Sequence, residues 1–407
     1  GDAIAAGASE PALRETLASV FLRIGERDRA GRLLAALVAE APTADRLVEL
    51  SDVDRLAGRF EEALAHAERA IELCPDLAEA HRAVGKALVA LGRAEEALVA
   101  YGRALAVAPS DPELLMDEAE ALLIAGDYRR GFARAEVRWQ AAELLPRRFS
   151  APRWTGEDIA GRTLLVHGER NPGLDIAFAR FLPQLAARGP RLVVEVRPAL
   201  TDLFRRLDLG SDATVVEQGR RLPPYDLEVP LRSLPNVFGT DRNDLPPPAR
   251  FRPDPLRVEA WRRQFADGDG RVAVGVYWRN AQDAELLASL ADVGEARLFA
   301  LDRRAGRASL AALPKGLAVE PLGSRLGGFV EMAAAMLALD VVIAPVSATV
   351  HLAASLGRPT IVVAPSPTDW LWVGDGGTPW YPGARLSCRD GDLAGLLRGL
   401  VLERPAP

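Results

Sequence analysis

The sequence predicts an α + α/β molecule, an N-terminal helical solenoid followed by a pair of Rossmann-like α/β lobes, from three observations. A 34-residue echo runs through the first third, where Gly58, Ala63, Ala70 and Pro75 reappear as Gly92, Ala97, Ala104 and Pro109. Beyond residue 150 short Val/Leu/Ile runs alternate with helix-like segments, the pattern of parallel strands covered by helices. A Pro-rich stretch from Pro246 to Pro255 divides those runs into two sets. Length agrees, since 407 residues make two or three domains at roughly 100–200 residues each.

In the solenoid, Gly at the turn permits the backbone geometry that links two helices, small Ala positions let the helices approach, and Pro after the second helix stops it. An earlier copy carries Gly25, Ala30 and Pro42, and a fourth begins near Pro112 with Gly126 in place. The expected units are about 11–43, 44–77, 78–111 and 112–140, within a domain of residues 1–145. The segments Ala57 to Pro75 and Leu91 to Pro109 resemble the tetratricopeptide repeat. Each pair buries its apolar stripe only against the next, so at least three copies are needed. The resemblance implies a concave surface for a protein or peptide partner. His81 reads as a packing or groove-lining residue, and His66, among Glu61, Glu62 and Glu68, as a solvated surface residue.

Composition excludes several classes. With 49% hydrophobic and 26% charged residues the chain is an ordinary globular protein rather than a disordered one. Fifty basic against 56 acidic side chains, a net charge of −6, argue against a nucleic-acid binder held by phosphate contacts. Residues 1–150 hold 19 basic and 26 acidic side chains. That excess either lines the groove, favouring a basic partner, or solvates the convex face. Cys74 and Cys388 make neither a disulfide framework nor a zinc site. Lys86 and Lys315 are the only lysines, which removes lysine as an expected catalytic group. No apolar stretch reaches the roughly 20 residues of a membrane span, and no leader pattern opens the chain, so a cytoplasmic location is expected.

In the α/β part the expected strands include Leu164–His167, Arg191–Val196, Thr214–Val216, Val272–Tyr277, Leu298–Leu301, Val341–Ala344 and Thr360–Val363, in lobes 146–265 and 266–407. Two runs carry a resemblance. The first is Trp154, Gly156-Glu157, Gly161 to Glu169 and Phe178-Ala-Arg-Phe-Leu-Pro183. The second is Val342-Ile-Ala344, His351 to Thr360, Asp369-Trp370-Leu-Trp372 and Pro379-Trp-Tyr-Pro382. They resemble bacterial proteins that join tetratricopeptide repeats to a glycosyltransferase-like domain of the heptosyltransferase type (family 9-like). The resemblance covers nearly the whole chain. It implies a GT-B architecture, with the nucleotide-sugar donor on the second lobe and the acceptor on the first.

The family's first turn reads Gly-Leu-Gly-Asp-Thr, whose Asp is the candidate base for an acceptor hydroxyl. Here it is Asn171-Pro-Gly173-Leu-Asp175, and the register fixed by Phe178 places Leu174 at the family's Asp. Asp175, about 100° further around the helix, is either a helix cap or the catalytic base. Glu169, Arg170, Asn171 and Gly173 form the acceptor-side loop. On the second lobe the family's extended loop shortens to Tyr277, Trp278, Arg279 and Asn280, and Asp-Thr-Ala-x-x-His becomes Val346-Ser347-Ala348-Thr349-Val350-His351. Ser347, Ala348 and Thr349 at a helix N-terminus make a diphosphate cradle. His351 is either a catalytic or ligand contact or a packed residue. Asp369 and Trp370 complete the donor side, and His167 points to cleft or core.

No Asp-x-Asp stands at a suitable strand end, so metal-independent chemistry is expected, with no cofactor beyond the nucleotide-sugar substrate. Arg279, Asn280 and the helix near Ser347 would then stabilise the leaving group. Two functions follow. One is sugar transfer to a protein or glycan acceptor recruited by the repeats, such as a surface or flagellar subunit. The other is a catalytically inactive scaffold or interaction protein, motivated by Leu174, Val346 and the shortened loop.

Overall fold

The computed structural model describes residues 11–140, 147, 149–266, 268, 270–302, 310–311, 313–364, 369–373, 378–388 and 392–402. It divides into two compact units, Gly1–Pro146 and Arg147–Pro407. The junction expected at residues 145 and 146 lies outside the described residues.

The first unit is a run of helix pairs: α1 (Pro11–Arg23), α2 (Arg27–Glu40), α3 (Ala44–Leu56), α4 (Phe60–Leu73), α5 (Ala78–Ala90), α6 (Ala94–Val107), α7 (Pro112–Ala125) and α8 (Tyr128–Ala135). Short turns join the helices of each pair, and each turn holds one left-handed glycine: Gly25, Gly58, Gly92 and Gly126 have φ of +83°, +82°, +75° and +88°. Asp111 caps α7 by accepting from Glu113 and Leu114 N–H groups at 2.9 and 3.0 Å. The pairs close on small residues, with Ala63, Ala67, Ala70, Ala97 and Ala104 fully buried. Gly85 permits the tightest approach, because a Cβ there would run into the Tyr101 ring. Among the described residues no helix is long and apolar enough to cross a membrane.

The second unit contains two parallel sheets. In the first, β1 (Thr163–His167) leads to α9 (Pro172–Phe178), α10 (Leu182–Ala186), β2 (Arg191–Val196), α11 (Pro198–Phe204), β3 (Thr214–Glu217), β4 (Leu227–Pro230) and α12 (Leu234–Phe238). Its strand order is β3-β2-β1-β4. Helix α13 (Pro255–Phe265) precedes the second set: β5 (Val272–Val276), α14 (Ala281–Leu286), β6 (Ala296–Ala300), β7 (Val319–Pro321), α15 (Phe329–Ala338), β8 (Val341–Pro345), α16 (Ala348–Ser355), β9 (Thr360–Ala364), β10 (Ala384–Cys388) and α17 (Leu393–Leu402). The six-stranded order is β10-β9-β8-β5-β6-β7, with every pairing parallel. Strands β5, β8 and β9 are buried throughout, as a sheet covered on both faces requires.

In both sheets the chain runs outward from a first strand and then returns to its other side, so β1/β4 and β5/β8 are switch points. The loops leaving β1, β5 and β8 therefore lie at the carboxyl ends of central strands, where doubly wound sheets hold ligands. Strands β4, β7 and β10 escaped the sequence reading. Strands β4 and β7 are short, and charged residues interrupt all three at Glu228, Glu320 and Arg385.

Candidate functional site

The loop after β1 is held by its own polar groups. Asn171 caps α9, its Oδ1 accepting from Gly173 and Leu174 N–H at 2.9 and 3.3 Å, so the cap expected at Asp175 lies four residues earlier. Asp175 instead points back beneath the loop. It is fully buried, and its Oδ1 accepts from the Glu169 N–H at 3.1 Å. Its Oδ2 has no hydrogen-bond partner among the described residues. Burial, reinforced by the Glu169 carboxylate, pushes the Asp175 carboxyl up to about 7 against the backbone N–H and the charges of Arg232 and Arg197. Glu169 is buried too, its Oε2 accepting from Arg232 at 3.2 Å, whereas Arg170 is exposed.

His167 belongs to the core side. Its Nε2 lies 2.9 Å from Glu228 on β4, and the Phe149 ring covers it at 4.4 Å. Burial raises the Glu228 carboxyl, but the hydrogen bond from His167 and the charge of Arg153 outweigh it and leave the group below its usual range.

Around β5 and β8 most residues expected to bind the donor are engaged with the protein itself. Tyr277 N–H donates to Ile343 O at 3.0 Å. Trp278, expected on the donor face, is 4% exposed inside the six-stranded core with Val274 and Ile343; an indole adjoining a buried strand takes the apolar side of the sheet. Asn280 caps α14 through Asp283 N–H at 2.8 Å. The Arg279 guanidinium binds Asp283 at 2.9 and 3.3 Å, and that hydrogen-bonded carboxylate holds it above its ordinary range. Arg279 also reaches Val346 O at 3.4 Å. Ser347 precedes α16, but its Oγ donates to Pro345 O at 2.8 Å and makes no cap bond. Thr349 is buried one position past Ala348. Asp369 accepts from Leu371 N–H at 3.0 Å, and burial pushes its carboxyl up.

His351 is buried against the rings of Trp372 and Tyr381, 5.0 and 5.8 Å away, with its Nδ1 3.2 Å from the Tyr381 hydroxyl. Burial drives its pKa down to about 3, so the imidazole is neutral. Across from it, Gly173 sits so close that a Cβ would fall 2.8 Å from His351 Cδ2 and 3.3 Å from Ala348 N. The first turns of α9 and α16 therefore touch, and Gly173, Ala348 and His351 do come together.

Two features that sequence reasoning passed over hold this contact. Arg180, 2% exposed, donates from Nη2 to Trp380 O at 2.9 Å, with its guanidinium 4.6 Å from the Trp380 ring. Phe178 packs against Trp370 and Trp380 at 6.5 and 5.2 Å. Trp370, expected at the donor, thus meets the last residue of α9. The sequence signal for Asp283 was its position four residues after Arg279. Arg180 lay in Phe178-Ala-Arg-Phe181, where a cation among aromatic residues marks a buried pairing.

In the first unit the His66 expectation is corrected. Its Nδ1 lies 2.9 Å from Asp54, whose buried carboxylate also accepts two bonds from Arg59 at 2.9 and 2.7 Å, because an acid on α3 faces the inner side of α4. His81 is buried and its Nε2 donates to Pro75 O at 2.7 Å. A groove of about 720 Å³ is lined by Arg32, Ala35, Leu50, Arg59, His66 and Arg69.

The molecule is thus a helical tetratricopeptide-like region together with a parallel-sheet α/β region. The tetratricopeptide repeat family model matches residues 42–110. Protein FlbA of Caulobacter vibrioides is 28% identical over 360 residues, which is 78% of this chain and 59% of FlbA, so the chain spans well under two thirds of that relative. Among solved structures, a thermophilic tetratricopeptide-repeat protein of Thermus thermophilus is 23% identical with a TM-score of 0.32, covering 35% of this chain and 80% of its own. MamA of Desulfovibrio magneticus RS-1 is 18% identical with a TM-score of 0.29, covering 32% and 75%.

Proposed function

We propose that the chain is an interaction protein whose repeats bind a protein segment, and that its α/β unit is a glycosyltransferase-like pair of lobes of GT-B type that does not present a donor site. One observation carries this reading: the space between the first turns of α9 and α16, where a nucleotide-sugar diphosphate would sit, is taken by Gly173. The neighbouring groups support it. Asn280 faces the Asp283 N–H as an acceptor, His351 is neutral and packed against the Trp372 ring, and the Ser347 and Arg279 donors point to Pro345 O and Asp283. Leaving-group stabilisation needs donors aimed at the developing charge, and these donors are aimed elsewhere.

A second reading, transfer of a sugar from a nucleotide sugar to an acceptor brought by the repeats, is favoured by Asp175. A carboxyl titrating at about 7 with one bare oxygen has the proton affinity of a general base. Incubation with radiolabelled nucleotide sugars and acceptor lysates separates the two. The interaction reading expects no labelled product; turnover that vanishes in Asp175→Ala would establish the transferase instead.

A further inference from the structure

At the groove between α2 and α4 the solenoid departs from its own repeat. The walls are the second helices of two successive pairs, and α3 forms the floor. At the position where the first helices of the other pairs carry the buried Phe21, Leu88 and Leu122, α3 carries Asp54, equally buried at 4% exposed. A carboxylate taken out of water costs stability unless it is paired, and Asp54 is paired by Arg59 and His66, both on the groove wall. A second departure faces it. Where the other second helices carry Leu64, Leu98 and Phe132, α2 has Gly31. Gly31 is absent from the glycines with positive φ, and a Cβ there would meet only Val53 Cγ1 at 3.3 Å and Arg59 Nη2 at 3.6 Å, so neither the backbone nor a hard overlap demands glycine. Its missing side chain leaves the groove open, and Ala35 and Ala39 continue the same wall.

The charges of the groove are unevenly spent. Asp54 is offset by Arg59 and His66, and Asp28 and Glu62 lie in the first turns of α2 and α4, beside helix N-termini that stabilise them. Arg32 and Arg69, exposed and lining the groove, have no hydrogen bond or ion pair among the described residues. We infer, on the footing of the interaction reading, that this groove takes an acidic peptide segment of the partner, whose carboxylates pair with Arg32 and Arg69 while its apolar side chains settle on Val38 and Leu50. Guanidinium forks match carboxylates in shape as well as charge. The bonds from Arg59 Nε and Nη2 to Asp54 hold that side chain in place before the segment arrives, which lowers the ordering cost of binding.

Selection of random dodecapeptides displayed on phage against the full chain, followed by fluorescence anisotropy of the enriched sequences as free peptides, tests the groove. The enriched sequences should be rich in Glu and Asp, and their Gln and Asn counterparts should not bind. Arg32→Gln and Arg69→Gln should each weaken binding by on the order of 10-fold, the loss of one charge-assisted hydrogen bond. Arg103→Gln, at the position that matches Arg69 in the next pair and equally exposed, should leave affinity unchanged. Gly31→Leu, which restores the side chain of the other pairs, should abolish binding with helicity kept; if helicity is lost, the arginine variants decide. Binders without acidic residues would overturn the groove and leave the interaction reading standing. So would acidic binders whose affinity survives both Arg32→Gln and Arg69→Gln, or falls as far in Arg103→Gln. A library that yields no binder would overturn both.

Discussion

The turn glycines of the solenoid and three contact glycines of the α/β unit do different work, and the difference separates what local sequence encodes from what only packing encodes. In the solenoid Gly25, Gly58 and Gly92 adopt left-handed φ with open space where a side chain would project. Their role is local, repeats every 33 or 34 residues, and is visible in the sequence. In the α/β unit Gly168, Gly173 and Gly275 have ordinary φ, and tertiary neighbours exclude the side chain: the Asp175 carboxylate, His351, and Leu339 with Leu301. Nothing near them in sequence announces those neighbours. A turn glycine tolerates change around it, whereas a contact glycine fixes the position of a distant element.

Four substitutions probe that contrast, starting from the largest effect. Trp372→Ala removes a fully buried indole stacked on Tyr381 at 5.2 Å and should cost about 3–5 kcal/mol in denaturant unfolding; a loss below about 1 kcal/mol would mean the aromatic cluster does not hold the α/β unit. Gly275→Ala pushes a methyl to 2.6 Å from Leu339 Cδ1 within β5 and should cost about 1–3 kcal/mol. Gly92→Ala meets no neighbour and should cost only the left-handed penalty of about 1–2 kcal/mol. Should Gly92→Ala prove the more damaging of these two, the distinction between turn and contact glycines fails. Arg93→Ala deletes an exposed pair with Glu96 and should change stability by under about 1 kcal/mol.

Titration sharpens the contrast further, because the contact glycines adjoin two buried groups with opposite linkage. The Asp175 carboxyl, raised to about 7, binds its proton in the folded state while the unfolded carboxyl has lost it, so its contribution is full below about pH 4 and disappears as pH rises to 7. His351, depressed to about 3, is neutral when folded while the unfolded imidazole is protonated below about 6.5, so its contribution is lost as pH falls from there towards 3. Between about pH 4 and 6.5 the two slopes cancel. Asp175→Asn should therefore turn a nearly flat stability profile into one that climbs with pH across that window, by close to one linked proton. A profile as flat as wild type would show that Asp175 is not the buried proton carrier.

Legibility in the sequence follows the same line. Helix pairs were readable because Gly58, Ala63 and Pro75 act within one repeat, and β5, β8 and β9 because fully buried parallel strands are continuous apolar runs. The site was half readable. The sequence placed Gly173 on the acceptor-side loop of the first lobe and Ala348 and His351 on the second, and the structure brings the three together. It did not show that they would touch, since that depends on how two sheets close. Trp278 was misread because an aromatic residue at a strand end looks the same whether it faces a ligand or the core. Asp54 was missed because its partners, Arg59 and His66, gather only when α3 and α4 pack.

Crystals soaked with uridine, guanosine and cytidine diphosphates test the closed α/β unit most directly. Density between Gly173 and Ala348 should remain protein only, with the turns of α9 and α16 in contact. A diphosphate bound to the Ala348 and Thr349 amides, with α9 moved aside, would mean that wild type does accept a donor and that the interaction reading must give way to the transferase.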